Sequence, residues 1–221
     1  MRKTWLVFAV ATGFGAVLVY PYLSLDIADS RLDVRDGVQY SVLVVHIFTA
    51  TVALVLGPLQ FVPKVRARKR LHRTFGRVYL LAGVVPSALA AIPVAVWSGR
   101  PLTQVSLTAA AVLWLVTGGL AYRAARRRDF AAHRTWMLRN YALTFLAVTS
   151  RVLVPVLLLA QAPLGGVDPA SATALIPVGQ TLGWVVNLVV VEVLLRRGQR
   201  PATRSPRRTK RFATRRDAPA A

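Results

Sequence analysis

Six apolar runs, each long enough to cross a lipid bilayer, dominate this chain of 221 residues. A membrane-spanning helix needs about 20 consecutive, mostly apolar residues. Because only helices satisfy the backbone of a single apolar segment in lipid, we predict an all-α fold, a polytopic membrane helix bundle with about six transmembrane helices. The runs extend over Thr4 to Leu23, Val38 to Val62, Thr74 to Trp97, Leu102 to Tyr122, Thr135 to Gln161 and Ala174 to Leu195.

The charged residues lie between these runs and alternate in sign along the chain. Two connections are basic, Lys64 to Arg70 and Arg126 to Arg128, whereas aspartates occupy the alternate connections, from Asp26 to Asp36 and at Asp168. Lys and Arg are retained on the cytoplasmic side of a membrane. The sequence therefore predicts that the N-terminus and the C-terminus are both cytoplasmic.

The net charge of +21, from 29 Lys and Arg against 8 Asp and Glu, also raises the hypothesis of a nucleic-acid partner. A nucleic-acid-binding domain carries its basic residues on a folded soluble face, but here long apolar runs separate them. We expect no nucleic acid, and we expect the basic loops to contact anionic lipid of the bilayer. We predict a transmembrane domain over residues 1–196 and a disordered basic cytoplasmic tail over residues 197–221, which also meets anionic lipid.

The chain contains no cysteine, which excludes disulfides, thiolate metal sites and cysteine nucleophiles. It also lacks a phosphate-binding glycine loop, a metalloprotease His-Glu-x-x-His and a nucleophile elbow. Hydrolysis is therefore not indicated, and it stays open whether the chain is an enzyme. The remaining metal or haem ligands are essentially the three histidines.

One pattern occurs twice, with a constant offset between its matching positions. A helix end, Gly57 to Phe61 or Gly118 to Tyr122, leads into a basic loop and then into His-Arg-Thr-aromatic, which begins at His72 or His133. The spacing from the glycine to the histidine is the same in both copies. Because both hairpins run in the same direction, we predict a parallel internal hairpin repeat, with predicted helices 2-3 and 4-5 as its copies.

The repeat predicts that His72 and His133 lie at the same depth and face a shared axis. Two such histidines can ligate one haem iron axially, so a b-type haem redox protein is one hypothesis, similar in outline to membrane cytochromes b. The alternative is that each His-Arg-Thr starts a helix at the headgroup level, with its arginine on lipid phosphate. Both alternatives stay open.

His46 and Arg151 are predicted to lie inside the membrane at a similar depth. His46 follows the start of the second predicted helix, and Arg151 lies about four helical turns beyond Trp136 in the fifth. Neither is negative, so they make no simple ion pair. We expect Arg151 to need backbone carbonyls, water or an anionic ligand inside the bundle.

Further polar residues are predicted to line the same interior. The face through Arg151 continues through Thr144 and Asn140 towards His133 as a polar stripe. On the cytoplasmic side we expect a second group near the histidine pair, in which Glu192 neutralises Arg139 or Arg77. The sequence thus predicts a site for a small ligand, lipid or cofactor, with candidate ligand-binding residues His46, Arg151, Gln60, Arg77, Arg139, Asn140 and Thr144, and candidate haem ligands His72 and His133.

These motifs together resemble the bacterial membrane family known as domain of unknown function 2306. The resemblance runs from about His46 to Pro155 and rests on His46, Gly57-Pro58-Leu59-Gln60-Phe61, His72-Arg73-Thr74-Phe75-Gly76-Arg77-Val78-Tyr79 and the segment from His133 through Arg151. It implies a bacterial plasma-membrane protein and draws attention to the three histidines and Arg151. It implies no substrate, so a carrier, a sensor or a structural subunit stays open beside the redox hypothesis, as does the oligomeric state.

Overall fold

The computed structural model describes residues 2–161 and 169–199, with the side chains of residues 4–161 and 173–198. Within these ranges the chain is helical and contains no strand, which confirms the all-α prediction. Two 3-10 turns follow α1, and a π-helical segment, Val78–Val84, joins α4 to α5. The helices are α1 (Arg2–Val19), α2 (Gly37–Leu59), α3 (Pro63–Ala67), α4 (Lys69–Arg77), α5 (Val85–Trp97), α6 (Pro101–Arg126), α7 (Phe130–Thr144), α8 (Leu146–Gln161) and α9 (Pro169–Gln199).

Five helical units in the described ranges are long and apolar enough to cross a membrane, and α7 with α8 makes a sixth if this bent pair is one span. The prediction of about six membrane helices is therefore confirmed, while the parallel repeat stays a prediction. Helix α9 continues to Gln199, so it extends a short way into the predicted tail. The rest of that tail, residues 200–221, lies outside the described residues.

The π-helical segment ends two residues before Pro86. Proline has no amide hydrogen, and its ring clashes with the carbonyl four residues earlier. The helix widens here into a π turn, in which the Val85 amide donates to the Leu80 carbonyl five residues earlier. This wider turn accommodates the disturbance that the proline causes. On this segment Gly83 faces α2, where an added Cβ would lie 3.0 Å from the backbone of Ala53. The span from α4 to α5 therefore packs tightly against α2.

The main core lies between α2, the π-helical segment, α5, α6 and α7. Its buried members include four alanines, Ala53, Ala88, Ala111 and Ala121, and small residues of this kind let the backbones of membrane helices approach closely. Helix α1 packs on α2, and α9 packs on α8, α7 and α6. The residues of this core with no exposed surface are Ala53, Tyr79, Ala88 and Ala121.

The fifth predicted helix is bent by 45° between α7 and α8, which corrects the expectation of one continuous polar stripe. At the bend, the Thr144 hydroxyl donates to the Asn140 carbonyl over 3.1 Å, and such bonds within a helix often accompany bending. Asn140 and Thr144 are buried, whereas Arg151 is exposed on the bundle surface. The bend therefore separates Arg151 from the rest of the stripe.

Candidate functional site

Polar side chains in the middle of the bundle form one closed hydrogen-bond network. The Tyr79 hydroxyl donates to Asn140 Oδ1 over 2.6 Å and lies 2.9 Å from Thr144 Oγ1. Asn140 Nδ2 donates to the Trp114 carbonyl over 2.7 Å and to Thr117 Oγ1 over 2.9 Å, and Trp114 Nε1 donates to Thr144 Oγ1 over 2.9 Å. We call these five residues the Asn140 network. The side-chain polar atoms of Asn140 and Thr144 are all hydrogen-bonded to other groups of the protein.

Tyr79, Trp114 and Thr117 were missing from the sequence-based candidates. For Tyr79 a signal existed, because Tyr79 and Asn140 are separated by the same interval as His72 and His133, the offset of the predicted repeat. For Trp114 and Thr117 the sequence offers no comparable signal. Their partners lie on α7, and neither residue type is unusual in an apolar helix.

The two histidines of the repeated motif come together at one end of the bundle. The ring centroids of His72 and His133 are 6.4 Å apart, and their planes are nearly perpendicular at 86°. Nδ1 of His133 lies 2.9 Å from the Ala121 carbonyl; because a carbonyl only accepts, this nitrogen is the donor. Nδ1 of His72 is buried and has no hydrogen-bond partner in the described ranges.

Gln60 adds a second open polar group near this pair. Its side chain is 4% exposed, and its Nε2 is buried without a partner among the described residues. Its Oε1 lies 3.3 Å from the position that a Cβ on Gly76 would take, one helical turn after His72. We call Gln60, His72 and His133 the histidine end. Arg77, which was expected there, is exposed.

Arg139 and Glu192 form the predicted ion pair, with a nitrogen-to-oxygen distance of 2.8 Å. The expectation that an arginine neutralises Glu192 is thus confirmed: Arg139 is the expected partner that pairs with it, and Arg196 lies 3.4 Å from its other oxygen. The Arg139 guanidinium also lies over the Trp136 ring, 4.8 Å from its centroid. Both charges border an open groove of about 360 Å³ between α6, α7 and α9, lined by Leu113, Thr117, Trp136, Arg139, Leu143, Leu188, Val189 and Glu192.

His46 lies near the middle of α2 and contacts Ser87 of α5. Its Nδ1 lies 3.0 Å from the Ser87 carbonyl and 3.1 Å from Ser87 Oγ, while that hydroxyl lies 3.2 Å from the His46 carbonyl. Arg151 is within electrostatic range of His46 and donates to the Ala147 carbonyl of its own helix over 2.9 Å. The structure therefore brings His46 and Arg151 to one region but shows no hydrogen bond between their described side chains.

The predicted site residues thus fall into four places: the histidine end, the Asn140 network, the groove beside Arg139, and the region of His46 and Arg151. No group of three or more histidine or carboxylate side chains in the described ranges is arranged to hold a metal ion. A metal at the histidine end would consequently have two histidine ligands.

Apolar spanning helices, a closed polar network between them and a histidine pair at one end define a polytopic integral membrane protein. The chain matches a family described as a predicted membrane protein, DUF2306, over residues 43–195. That range is more than half of the chain, and the chain belongs to this family. It extends from α2 into α9, so it includes all four places above, while α1 lies outside it. No curated protein and no solved structure matches the chain.

Proposed function

We propose that this membrane protein binds a small ligand or cofactor at the histidine end. The observation that carries the proposal is that the rings of His72 and His133 meet at 6.4 Å while His72 Nδ1 and Gln60 Nε2 are buried without partners in the described ranges. Leaving a buried polar atom unpaired costs about 1–3 kcal/mol. Because one of these atoms belongs to the histidine pair and the other lies on Gln60 close to it, a bound ligand that pairs with both would remove this cost.

A b-type haem redox protein is the second candidate function, and the ring spacing favours it. Because the ring centres of His72 and His133 are 6.4 Å apart, both imidazoles could hold one metal ion. The bond between His133 and the Ala121 carbonyl is of the kind that orients metal-binding histidines. If haem is bound, His72 and His133 would hold its iron, and a pair of protein ligands suits haem better than it suits a bare metal ion. Bound haem would supply electron transfer.

The visible spectrum of the purified full chain tests both candidates. Protein from haem-replete cells is recorded in mild detergent, oxidised and dithionite-reduced, beside a His72→Ala, His133→Ala double variant and a His46→Gln control. A Soret band and a reduced α band that the double variant loses and the control keeps support haem. A colourless, folded wild-type protein overturns haem, and if native mass spectrometry also finds no retained metal or small molecule, the ligand proposal fails.

We further propose that both termini lie in the cytoplasm of a bacterial cell and that the plasma membrane holds the bundle. The contact between His72 and His133 supports this, because it places the two basic connections, around α3 and before α7, at one end. The positive-inside rule then makes that end cytoplasmic, where these loops meet anionic lipid.

Because the chain has no cysteine, single cysteines test this orientation directly. In spheroplasts, a membrane-impermeant maleimide should label Asp33→Cys without lysis, and it should label Arg127→Cys only after lysis. The reverse pattern would overturn the proposed orientation.

A further inference from the structure

The groove beside Arg139 is layered, because each of its three helices contributes a polar residue and, four residues away, a leucine. These pairs are Thr117 and Leu113 on α6, Arg139 and Leu143 on α7, and Glu192 and Leu188 on α9. Four residues are about one helical turn, or about 6 Å along the axis. The groove therefore has a polar layer, formed by the first member of each pair, and a leucine layer, formed by the second.

The directions of the helices place each layer at one depth. Helix α7 is antiparallel to α6, because His133 contacts Ala121 whereas Asn140 contacts Thr117. The contacts between α7 and α9 also run in opposite directions along the two helices. On all three helices the leucine therefore lies deeper in the bundle than the polar residue, and the polar layer faces the histidine end. A phospholipid has the same order, with its headgroup at the surface and its acyl chains below.

The polar layer presents charges of both signs to the groove. The Arg139 and Glu192 side chains are 28% and 38% exposed, so their ion pair is open to a ligand. The bonds within this pair use Nε and Nη2 of Arg139 and one oxygen of Glu192, so Nη1 of Arg139 is not engaged in it. Charged residues in a spanning segment are costly and commonly mark a binding site.

A lipid headgroup can reach this pair from the end of α9. Glu192 lies one helical turn before Arg196, an exposed arginine in the last turn of α9. The Trp136 ring, 4.8 Å from the Arg139 guanidinium, holds that guanidinium at the wall of the groove. The groove volume of about 360 Å³ is near the lower limit of ligand pockets, about 300 Å³. It accommodates part of one acyl chain rather than a whole phospholipid.

We propose that the groove between α6, α7 and α9 binds a phospholipid whose headgroup carries both a phosphate and a primary ammonium. The phosphate accepts from Arg139, the ammonium donates to Glu192, and one acyl chain lies against the leucine layer. A headgroup that is only anionic meets the repulsion of the Glu192 carboxylate, and a choline headgroup has no N–H donor for it. The proposal does not depend on the ligand of the histidine end.

Lipid retention by the detergent-purified full chain, measured by native mass spectrometry, tests the headgroup. The probes are the dioleoyl forms of phosphatidylethanolamine, phosphatidylglycerol and phosphatidylcholine, which share their acyl chains. We expect phosphatidylethanolamine to be retained about tenfold better than the other two, as one additional charge-assisted contact provides. Glu192→Gln should abolish this preference. Arg197→Gln, at an exposed arginine in the same turn as Arg196, is the control and should preserve it.

Two neighbouring valines of α9 test the position of the acyl chain. Val189 lines the groove, whereas Val190 is half exposed and is not among the lining residues. Val189→Trp should weaken phosphatidylethanolamine retention about tenfold because it fills the groove, and Val190→Trp should change it less than twofold.

Three results would overturn the proposal. One is equal retention of all three lipids or a preference for phosphatidylglycerol by the wild-type protein, and another is an unchanged preference in Glu192→Gln. The third is an equal effect of Val189→Trp and Val190→Trp, which would place the lipid elsewhere on the bundle. The two valine variants keep the test valid if Glu192→Gln fails to fold, because neither removes a charge.

Discussion

The Asn140 network and the histidine end are both polar groups inside the same apolar bundle, yet they differ in how completely their hydrogen bonds are satisfied. Asn140 makes three side-chain hydrogen bonds to protein partners. At the histidine end, His72 Nδ1 and Gln60 Nε2 are buried without a described partner. Both sets contain polar residues on membrane helices, so residue type alone does not separate them. Closed bonding is typical of a structural role, and the open bonding at the histidine end is the basis of the binding role proposed for it.

The largest effect that this comparison predicts is on Asn140. Asn140→Leu should lower the free energy of unfolding by about 3 kcal/mol, because it leaves the Trp114 carbonyl and Thr117 Oγ1 without their amide donor and removes one of the two partners of Tyr79. The midpoint of unfolding in detergent measures this, with Tyr79→Phe as the milder comparison at about 1 kcal/mol. An unchanged midpoint for Asn140→Leu would remove the structural role assigned to the network.

A smaller loss of stability is expected at Gly57, where α2 packs against Tyr141 of α7. A Cβ added there would overlap the ring of Tyr141, so Gly57→Ala should destabilise the protein by about 2 kcal/mol through overpacking. Gly119 lies in a spanning helix too, and nothing lies within 4 Å of its added Cβ. Gly119→Ala is therefore the matched control, expected to be neutral or stabilising by up to about 1 kcal/mol. Equal destabilisation by both substitutions would mean that the packing at Gly57 is not specific.

The sequence predicted those features that depend on lipid or on spacing along the chain. The spanning segments could be found because the bilayer requires a long apolar run whatever its neighbours are. Glu192 could be paired with an arginine because an unpaired carboxylate in a span is costly. The meeting of His72 and His133 followed from the common offset of their motifs.

Other features depend on atoms far apart in the sequence, and pattern alone could not predict them. The helical period placed Asn140, Thr144 and Arg151 on one stripe, but the bend between α7 and α8 turns Arg151 away. The π-helical segment was not predicted either, because a proline indicates that a helix is distorted but not whether it kinks or forms a π turn. That Trp114 closes the network became evident only once α6 was placed against α7.

The smallest effect on stability is expected at His72, and it separates the two polar groups most directly. In protein made without haem and purified with a chelator, His72→Leu should not lower the free energy of unfolding, because it removes a buried nitrogen whose lack of a partner is itself unfavourable. His133→Leu should cost about 1 kcal/mol, since it breaks the bond to the Ala121 carbonyl. In ligand-replete protein, by contrast, His72→Leu should lower the midpoint of unfolding. A bound ligand adds stability to the folded state, and the variant loses that stability because it no longer binds the ligand. If His72→Leu instead destabilises the ligand-free protein as much as Asn140→Leu does, the histidine pair is a packing element, and the difference between the two polar groups is structural rather than functional.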